Sequence, residues 1–569
     1  MAHLHKKIKN GKPCYYVRET AWVNGKSKVV KQVYLGSANK ILATTTERNT
    51  PDIEKQVTEA FGALWLANQI EERVGLVKII DSILPRRTKG PSLGEYFLYA
   101  AFNRMIDATS KQALPDWYAH TAVQSIRPVD LTALDSDGYY KKWSTVTEED
   151  LQKIAKVFFK KVASLHTPSD GCFLFDTTNY YTFMASHTES ELAKRGKNKE
   201  GRNWLRQIGL ALLVDRLSRF PFHYRAYQGN CHDSKVFSSL LEELTGAMRE
   251  SGKEDLTLVV DKGMNSADNF EVIDEKEDVH FITTYSPHYA EELVLASRDR
   301  FTLVDIPHNT NLKEEGHEED SIRAWRTKGV YWGRERTVVV TYNPRSADKQ
   351  RHTFEDKLQN IKLELFEMRS KVKVCAKYWK KEADVRSRYI KLCGGLHMPI
   401  DLFKLSFTKK NGNLIMQFEK DFYRIEKHIE KFGKNILITD RNDWSTEEIV
   451  NASLDRYLVE EAFRQSKDDD LVSVSPIRHW TDATIHCHIF SCIIALTFLR
   501  LLEYILAKAD YKMTADNCMK IMRPLSSILN WTSKQPTKPY RTIEAPTPAQ
   551  AAILHAFGFQ VVKGVLGKS

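Results

Sequence analysis

Three acidic residues stand where the surrounding sequence can aim a carboxylate at a shared ligand. Asp176 closes the apolar run Cys172 to Phe175 and is followed by Thr177-Thr178-Asn179, so its carboxylate is expected to project from the end of a strand. Asp261 repeats the arrangement after Leu-Thr-Leu-Val-Val, with Lys262-Gly263 behind it. A single Asp so placed more often serves a turn or a cap. Two such residues on neighbouring strands instead suit hard cations, because magnesium takes oxygen ligands and keeps part of its water shell. The third candidate is Glu460 within Arg456-x3-Glu460-x6-Lys467. At about 100° per residue, positions four and seven apart return to one helix face, so Arg456, Glu460, Arg464 and Lys467 form one stripe and Glu461 leaves it. Alone, such a stripe reads as a solvated, salt-bridged helix.

Further groups surround these three. The loop Lys194-Arg-Gly-Lys-Asn-Lys-Glu-Gly-Arg202, with Lys197, Lys199 and Arg202, is expected to adjoin Asp176 and reads as a grip on a phosphate backbone in preference to a plainly solvated loop. Asn230, His232 and Asp233 follow the third strand, with Asp233 expected to cap a helix. His486, Cys487, His488 and Cys492 imitate a metal set, but they lie on an apolar helix where only His488 and Cys492 share a face, and no zinc site is expected.

The elements that must position these residues begin at Cys172. Apolar runs at 172–175 and 207–214, a resumption at 220–227, a helix over 235–250, a strand at 256–260 and another at 281–284 give the order of an RNase H-like core. That likeness concerns the fold and does not by itself license a function. Before it, Val57, Phe61, Leu64, Ala67 and Ile70 recur at helical spacing, and Pro51-Asp52 can open the helix. The segment Leu84 to Gly90 reads as a basic interhelical loop. After the core, a strand at 337–341 precedes a helix with Phe354, Leu358, Ile361, Leu365, Met368 and Val372 in a seam too short for a zipper. Strands are expected at 403–407, 414–418 and 435–439, with a turn at Asn411-Gly412-Asn413. Ser445-Thr-Glu-Glu448 announces a helix running to about Lys467, and 482–507 forms a buried apolar helix. Past 510 the chain reads as helical or irregular, with Lys534 to Arg541 a surface loop. The expected division is 1–50, a basic β-element; 51–165, an α-helical domain; 166–290, the first part of the core; 291–440, a mixed α/β insertion; and 441–569, the rest of the core with C-terminal helices.

A chain of 569 residues with 42% hydrophobic content fills several cores. Its 84 Lys and Arg against 73 Asp and Glu give a charge of +11 and favour a polyanionic partner. Residues 1–40 concentrate that excess: nine Lys or Arg against Glu19 alone, interleaved with Tyr15, Tyr16, Trp22 and Tyr34 and turned at Asn24-Gly25. Such a strip is either a DNA contact or a solvated hairpin. Eight cysteines without a CxxC pair imply no disulfide framework. The start has no apolar run to serve a signal peptide, and no stretch offers some 20 uncharged apolar residues, so a cytoplasmic protein without a membrane segment is expected.

Taken together, Val33-Tyr34-Leu35-Gly36, Phe175-Asp-Thr-Thr178, Gly196 to Arg202, Gly229-Asn-Cys-His-Asp233, Val260-Asp-Lys-Gly263 and Val459-Glu-Glu-Ala-Phe-Arg464 resemble the DDE transposases of bacterial insertion sequences. The likeness is to the branch with a β-containing insertion before the Glu and a YREK-type third motif. It implies that Asp176, Asp261 and Glu460 bind two Mg2+ ions, which Mn2+ can replace, and that Arg456 and Lys467 contact DNA phosphate. It further implies an endonuclease and strand-transfer activity, terminal inverted repeats and target DNA as double-stranded partners, a homodimer on paired ends, and a bacterial, nucleoid-associated location. One departure is Ser453, where that family carries tyrosine. The other readings are an inactive DNA-binding repressor and an RNase H-like nuclease without strand transfer.

Overall fold

The structure, a computed structural model, describes residues 2–9, 11–23, 26–46, 53–85, 90–166, 169–184, 188–196, 201–410, 412–468, 470–533 and 535–569. It divides into two units, one formed by Met1–Gly62, His120–Ala122 and Pro524–Ser569, the other by Ala63–Ala119 and Val123–Arg523.

The first unit carries a three-stranded antiparallel sheet of Ala2–Lys9, Lys12–Val23 and Lys26–Gly36. Most of its side chains are exposed, Leu4, Ile8, Trp22 and Tyr34 among them, while Tyr16 is buried against the Tyr34 ring at 4.9 Å between centroids. Asn24-Gly25 lies outside the described residues, although the strands on either side meet at Val23 and Lys26. A second sheet sets Ser526–Thr532 between Ile53–Ala60 and Gln535–Ile543. Two sequence expectations are corrected here. Val57 belongs to a strand, and the helix starts only at Gly62, because a partner strand from the far end of the chain takes up the backbone hydrogen bonds of 53–60. No local period reveals that partner. Pro51-Asp52 lies outside the described residues. The supposed surface loop up to Arg541 is an edge strand, where proline is tolerated because one side of the ladder is unused; Lys534 itself lies outside the described residues.

The second unit opens with helices. Helix α1 (Leu93–Ile106) starts in a Ser92/Glu95 capping box and is buried along almost its whole length. Helix α2 (Ser136–Trp143) and helix α3 (Glu148–Ala163) follow. Of the basic interhelical loop, 86–89 lie outside the described residues.

The central sheet then assembles from β1 (Cys172–Thr182), β2 (Arg206–Asp215), β3 (Pro221–Gln228), β4 (Leu256–Val260) and β5 (Val279–Tyr285). Their spatial order is β3-β2-β1-β4-β5. The first three run antiparallel, and β4 and β5 run parallel to β1. Helix α4 (Asp233–Arg249) connects β3 to β4, and helix α5 (Ala267–Asp274) connects β4 to β5. This is the RNase H-like arrangement. Strand β4 is buried throughout, as its unbroken apolar run requires of a parallel strand covered on both faces. Phe173, Phe237, Leu241, Leu258, Phe270 and Phe281 share one core.

The sheet continues past β5 with β6 (Arg323–Tyr331), β7 (Arg334–Tyr342) and β8 (Lys434–Thr439), in the order β5-β8-β7-β6. Strands read in the sequence as part of the insertion therefore extend the central sheet, and Val338 and Ile436 join its core. Between β7 and β8 a separate core forms on helix α6 (Pro344–Lys373), helix α7 (Glu382–Leu396) and the hairpin of Phe403–Lys410 with Asn413–Lys420. The seam Phe354 to Val372 is buried there within the chain. Asn411, in the expected turn, lies outside the described residues. The expected helix from Ser445 is two, α8 (Thr446–Leu454) and α9 (Tyr457–Lys467), and α10 (Asp482–Lys508) follows. Among the described residues α10 is the one helix long and apolar enough to cross a membrane, and 89% of its apolar window is buried in the protein.

Candidate active site

Asp176 is not at the end of its strand, as its neighbours suggested, but inside β1, opposite Leu212 of β2. The other edge of β1 explains how it can still serve a site. Parallel pairing with β4 stops at Leu174 and Val259, and Asp176 and Asp261 each lie two residues beyond that last pair. The Asp176 carboxylate accepts the N–H of Thr177 at 2.8 Å.

Asp261 leaves β4 as the first residue of a tight turn over Lys262–Met264. Thr284 of β5 anchors it. The Thr284 hydroxyl donates to the Asp261 carboxylate at 2.9 Å and accepts the Lys262 N–H at 3.0 Å, while the Thr284 carbonyl takes the Asn265 amide at 2.9 Å. Sequence reasoning missed Thr284; its place two residues after the apolar pair Phe281-Ile282, at the end of the next parallel strand, was the available signal.

Glu460 reaches the site because the helix breaks. Asp455 ends α8, and its carboxylate lies 2.9 Å from Arg216 Nε at the end of β2. Burial raises the Asp455 pKa and the Arg216 guanidinium works against that rise. The next residue, Arg456, stands at the start of α9 and spans two carboxylates, 3.4 Å from Asp261 and 3.0 Å from Glu460. One cation is thus shared by acids from distant parts of the chain. The far end of α9 is tied to β1, where the Tyr180 and Ser466 hydroxyls share a hydrogen bond and Lys467 lies over the Tyr180 ring at 5.6 Å. The Thr182 hydroxyl then donates to the Ile477 carbonyl at 2.8 Å.

The remaining expected residues divide. Arg464 does not join Glu460: it is 78% exposed and lies 3.8 Å from Glu461, which the i,i+3 spacing brings within reach. Glu461 also meets the buried Arg500 at 3.7 Å and is only 22% exposed, so it is a structural rather than a solvated acid. Arg202 stacks on the Tyr181 ring at 4.9 Å. Lys197 and Lys199 lie outside the described residues. Asp233 is the first residue of α4, whose cap position is taken by His232. Its carboxylate would lie 3.7 Å from a Cβ placed on Gly263. Burial, then Asp233, raises the Tyr227 pKa, with Asp176 adding to the rise. Asp233 therefore belongs to the surroundings of the site. The motif glycines have a packing cause: a Cβ on Gly196 would stand 2.6 Å from the Gly229 carbonyl, and one on Gly229 would stand 1.9 Å from the Gln207 carbonyl.

Arg456 and Glu460 line a cleft of about 430 Å³ with Thr284, Asn435, Ser453 and Tyr457. Ser453, near the end of α8, and Tyr457, the first residue of α9 and 53% exposed, both line this cleft. The oxygens of Asp176, Asp261 and Glu460 are not all within 4.8 Å of one another. Among the described residues only His317, Glu319 and Asp320 form so close a set of three, on a surface turn where Asp320 pairs with Arg345. His488 and Cys492 approach each other at 3.9 Å within α10, and Cys487 is bonded instead to the Trp143 carbonyl.

The chain matches the Transposase DDE domain family over residues 181–498, a span that includes Asp261 and Glu460 and begins just after Asp176. No curated protein matches it. Among solved structures, a cryo-electron microscopy synaptic complex of piggyBac transposase with hairpin DNA is similar at 10% identity and a TM-score of 0.35, covering 83% of this chain and 82% of that one. With more than half of its residues in the family match, the chain belongs to the DDE transposases.

Proposed function

We propose that this transposase serves an insertion sequence: it binds terminal inverted repeats as a homodimer on paired ends, cleaves the strands and joins them to target DNA. The observation that carries the reading is Arg456, whose guanidinium lies within 3.4 Å of Asp261 and 3.0 Å of Glu460. Two carboxylates already placed to share a monovalent cation suit the sharing of a divalent one. With Asp176 they offer the hard oxygen donors that magnesium takes, and manganese can substitute. When bound, a pair of such ions supplies an activated water and stabilises the leaving 3′ oxygen. Thr284 orients the Asp261 carboxylate and Arg216 fixes the α8–α9 junction. Arg456, Lys467, Arg202, Lys197, Lys199 and the exposed Arg464 are assigned to DNA phosphates, which position a duplex without reading its sequence. A cytoplasmic, nucleoid-associated location follows from that partner.

The test is incubation of the purified protein with Mg2+ and labelled DNA carrying the element's ends. Cleavage and joining are expected, and Asp261→Asn should lower both by more than the roughly 10- to 100-fold lost when a group that only supports a metal site is changed. Binding without cleavage would make the chain an inactive repressor. Cleavage without joining would make it a nuclease.

A further inference from the structure

A second cleft, of about 670 Å³, lies in the unit of the central sheet between the end of α1, helix α2, the segment 473–480 and α10. Basic groups face one another across it. Arg104 and Lys111 are 9% and 7% exposed, and among the described residues neither forms an ion pair with an acid. The Arg104 guanidinium donates to the Ser473 and Thr109 carbonyls at 3.0 and 3.1 Å, but its Nε has no partner. Among the described residues Lys111 Nζ has no hydrogen-bond partner either, and it lies 5.3 Å over both the Tyr139 and Trp143 rings. The Trp143 indole N–H, the Tyr139 hydroxyl and His488 Nδ1 are likewise buried and without a hydrogen bond among the described residues. Burial, then Arg104, drives the Lys111 pKa far down, and burial followed by Lys111 and Arg104 pushes His479 down to about 3. The acid on the cleft wall, Asp137, is exposed at the rim.

A buried amine without a hydrogen-bond partner, beside several idle donors, is costly unless a ligand supplies acceptors. An anion with several acceptor oxygens would satisfy Lys111, Arg104 Nε and the indole N–H together, and phosphate is such a group. The rim adds flat apolar surface: Trp480 is 61% exposed and Tyr140 52%, with Arg478 beside them. Exposed rings next to cations are what a base needs to stack.

We propose that this cleft takes one unpaired nucleotide of a DNA strand, its phosphate on Lys111 and Arg104 and its base against Trp480 and Tyr140. The test uses the full chain in chelator, so that cleavage plays no part. The affinity of a short single-stranded oligonucleotide is measured by anisotropy beside those of thymidine monophosphate, inorganic phosphate and a blunt duplex. Wild type should bind the oligonucleotide, Trp480→Ala should weaken it about tenfold, Lys111→Met should weaken it at least as much, and duplex binding should not change. Lys111→Met should also melt no lower than wild type, because it removes a buried amine that has no hydrogen-bond partner, at nearly constant volume. Oligonucleotide affinity unchanged in both variants, or a Lys111→Met protein that melts well below wild type, would overturn the assignment. Thymidine monophosphate binding as tightly as the strand would transfer the cleft to free nucleotide, and inorganic phosphate doing so would remove the base.

Discussion

At the residue scale, Glu460 and Glu461 separate two jobs that adjacent acids could have shared. Glu460 faces Arg456 and the cleft, whereas Glu461 holds the buried Arg500, which also pairs with Glu503 at 2.7 Å. Glu460→Gln should abolish cleavage while DNA binding and melting temperature stay at wild-type values. Glu461→Gln should keep most of the activity but melt lower, by about 1 kcal/mol of stability, the usual worth of one such interaction. A dead Glu461→Gln with an active Glu460→Gln would reverse the assignment. Thr284→Val, almost isosteric, removes the hydroxyl that fixes Asp261 and leaves the Lys262 N–H unbonded. Its turnover should fall while DNA affinity holds, which steady-state cleavage and filter binding can separate. The sequence singled out Asp176 and Asp261 because apolar runs end at them, and Glu460 because it shares a helix stripe with Arg456 and Lys467. Thr284 and Arg216 were not, since a threonine and a strand-end arginine acquire meaning only from what the sheet order puts beside them, and Asp233 was read only as a helix cap.

At the element scale, the five core strands could be read from apolar runs and the first crossover helix from the sequence over 235–250, whereas the bounds of the second, Ala267–Asp274, were not located. What failed to read were elements completed from afar. Strand β8 closes the sheet between β5 and β7, and no feature of 434–439 distinguishes a strand of the insertion from one of the core. The junction is held in part at its end, where His280 Nδ1 of β5 donates to the carboxylate of Asp440, just after β8, at 2.8 Å. That carboxylate, the largest cause, raises the His280 pKa, with Asp255 adding to it and burial and Arg441 opposing. The contribution is therefore fully present below the unfolded value, about 6.5, and is lost as pH rises through the folded value. Melting of wild type against His280→Gln across this window should show a stability difference that shrinks as pH increases. A difference constant with pH would mean that the imidazole contributes by packing alone.

At the scale of the whole molecule, the charge of +11 sets how the protein meets DNA. Affinity for duplex should fall with salt at a log-log slope of about −0.9 for each phosphate neutralised. A flat response would count against phosphate contacts as the source of binding. Deleting residues 1–40, which hold nine basic residues and none of the three acids, should weaken binding to the element's ends while leaving metal affinity, read by calorimetry, unchanged. Undiminished end affinity in the shortened protein would assign recognition to the helices before β1. The sheet that joins Ile53–Ala60 to Ser526–Thr532 has a bearing on timing as well. Its outer strand is synthesised before the central sheet, and the strand it must pair with only after it. The central sheet, whose strands all lie between 172 and 439, can close long before that, since domains fold as they emerge. A nascent chain would thus carry its acids in place while one of its sheets still waits for a partner, and a stop codon anywhere before 526 would leave that wait permanent.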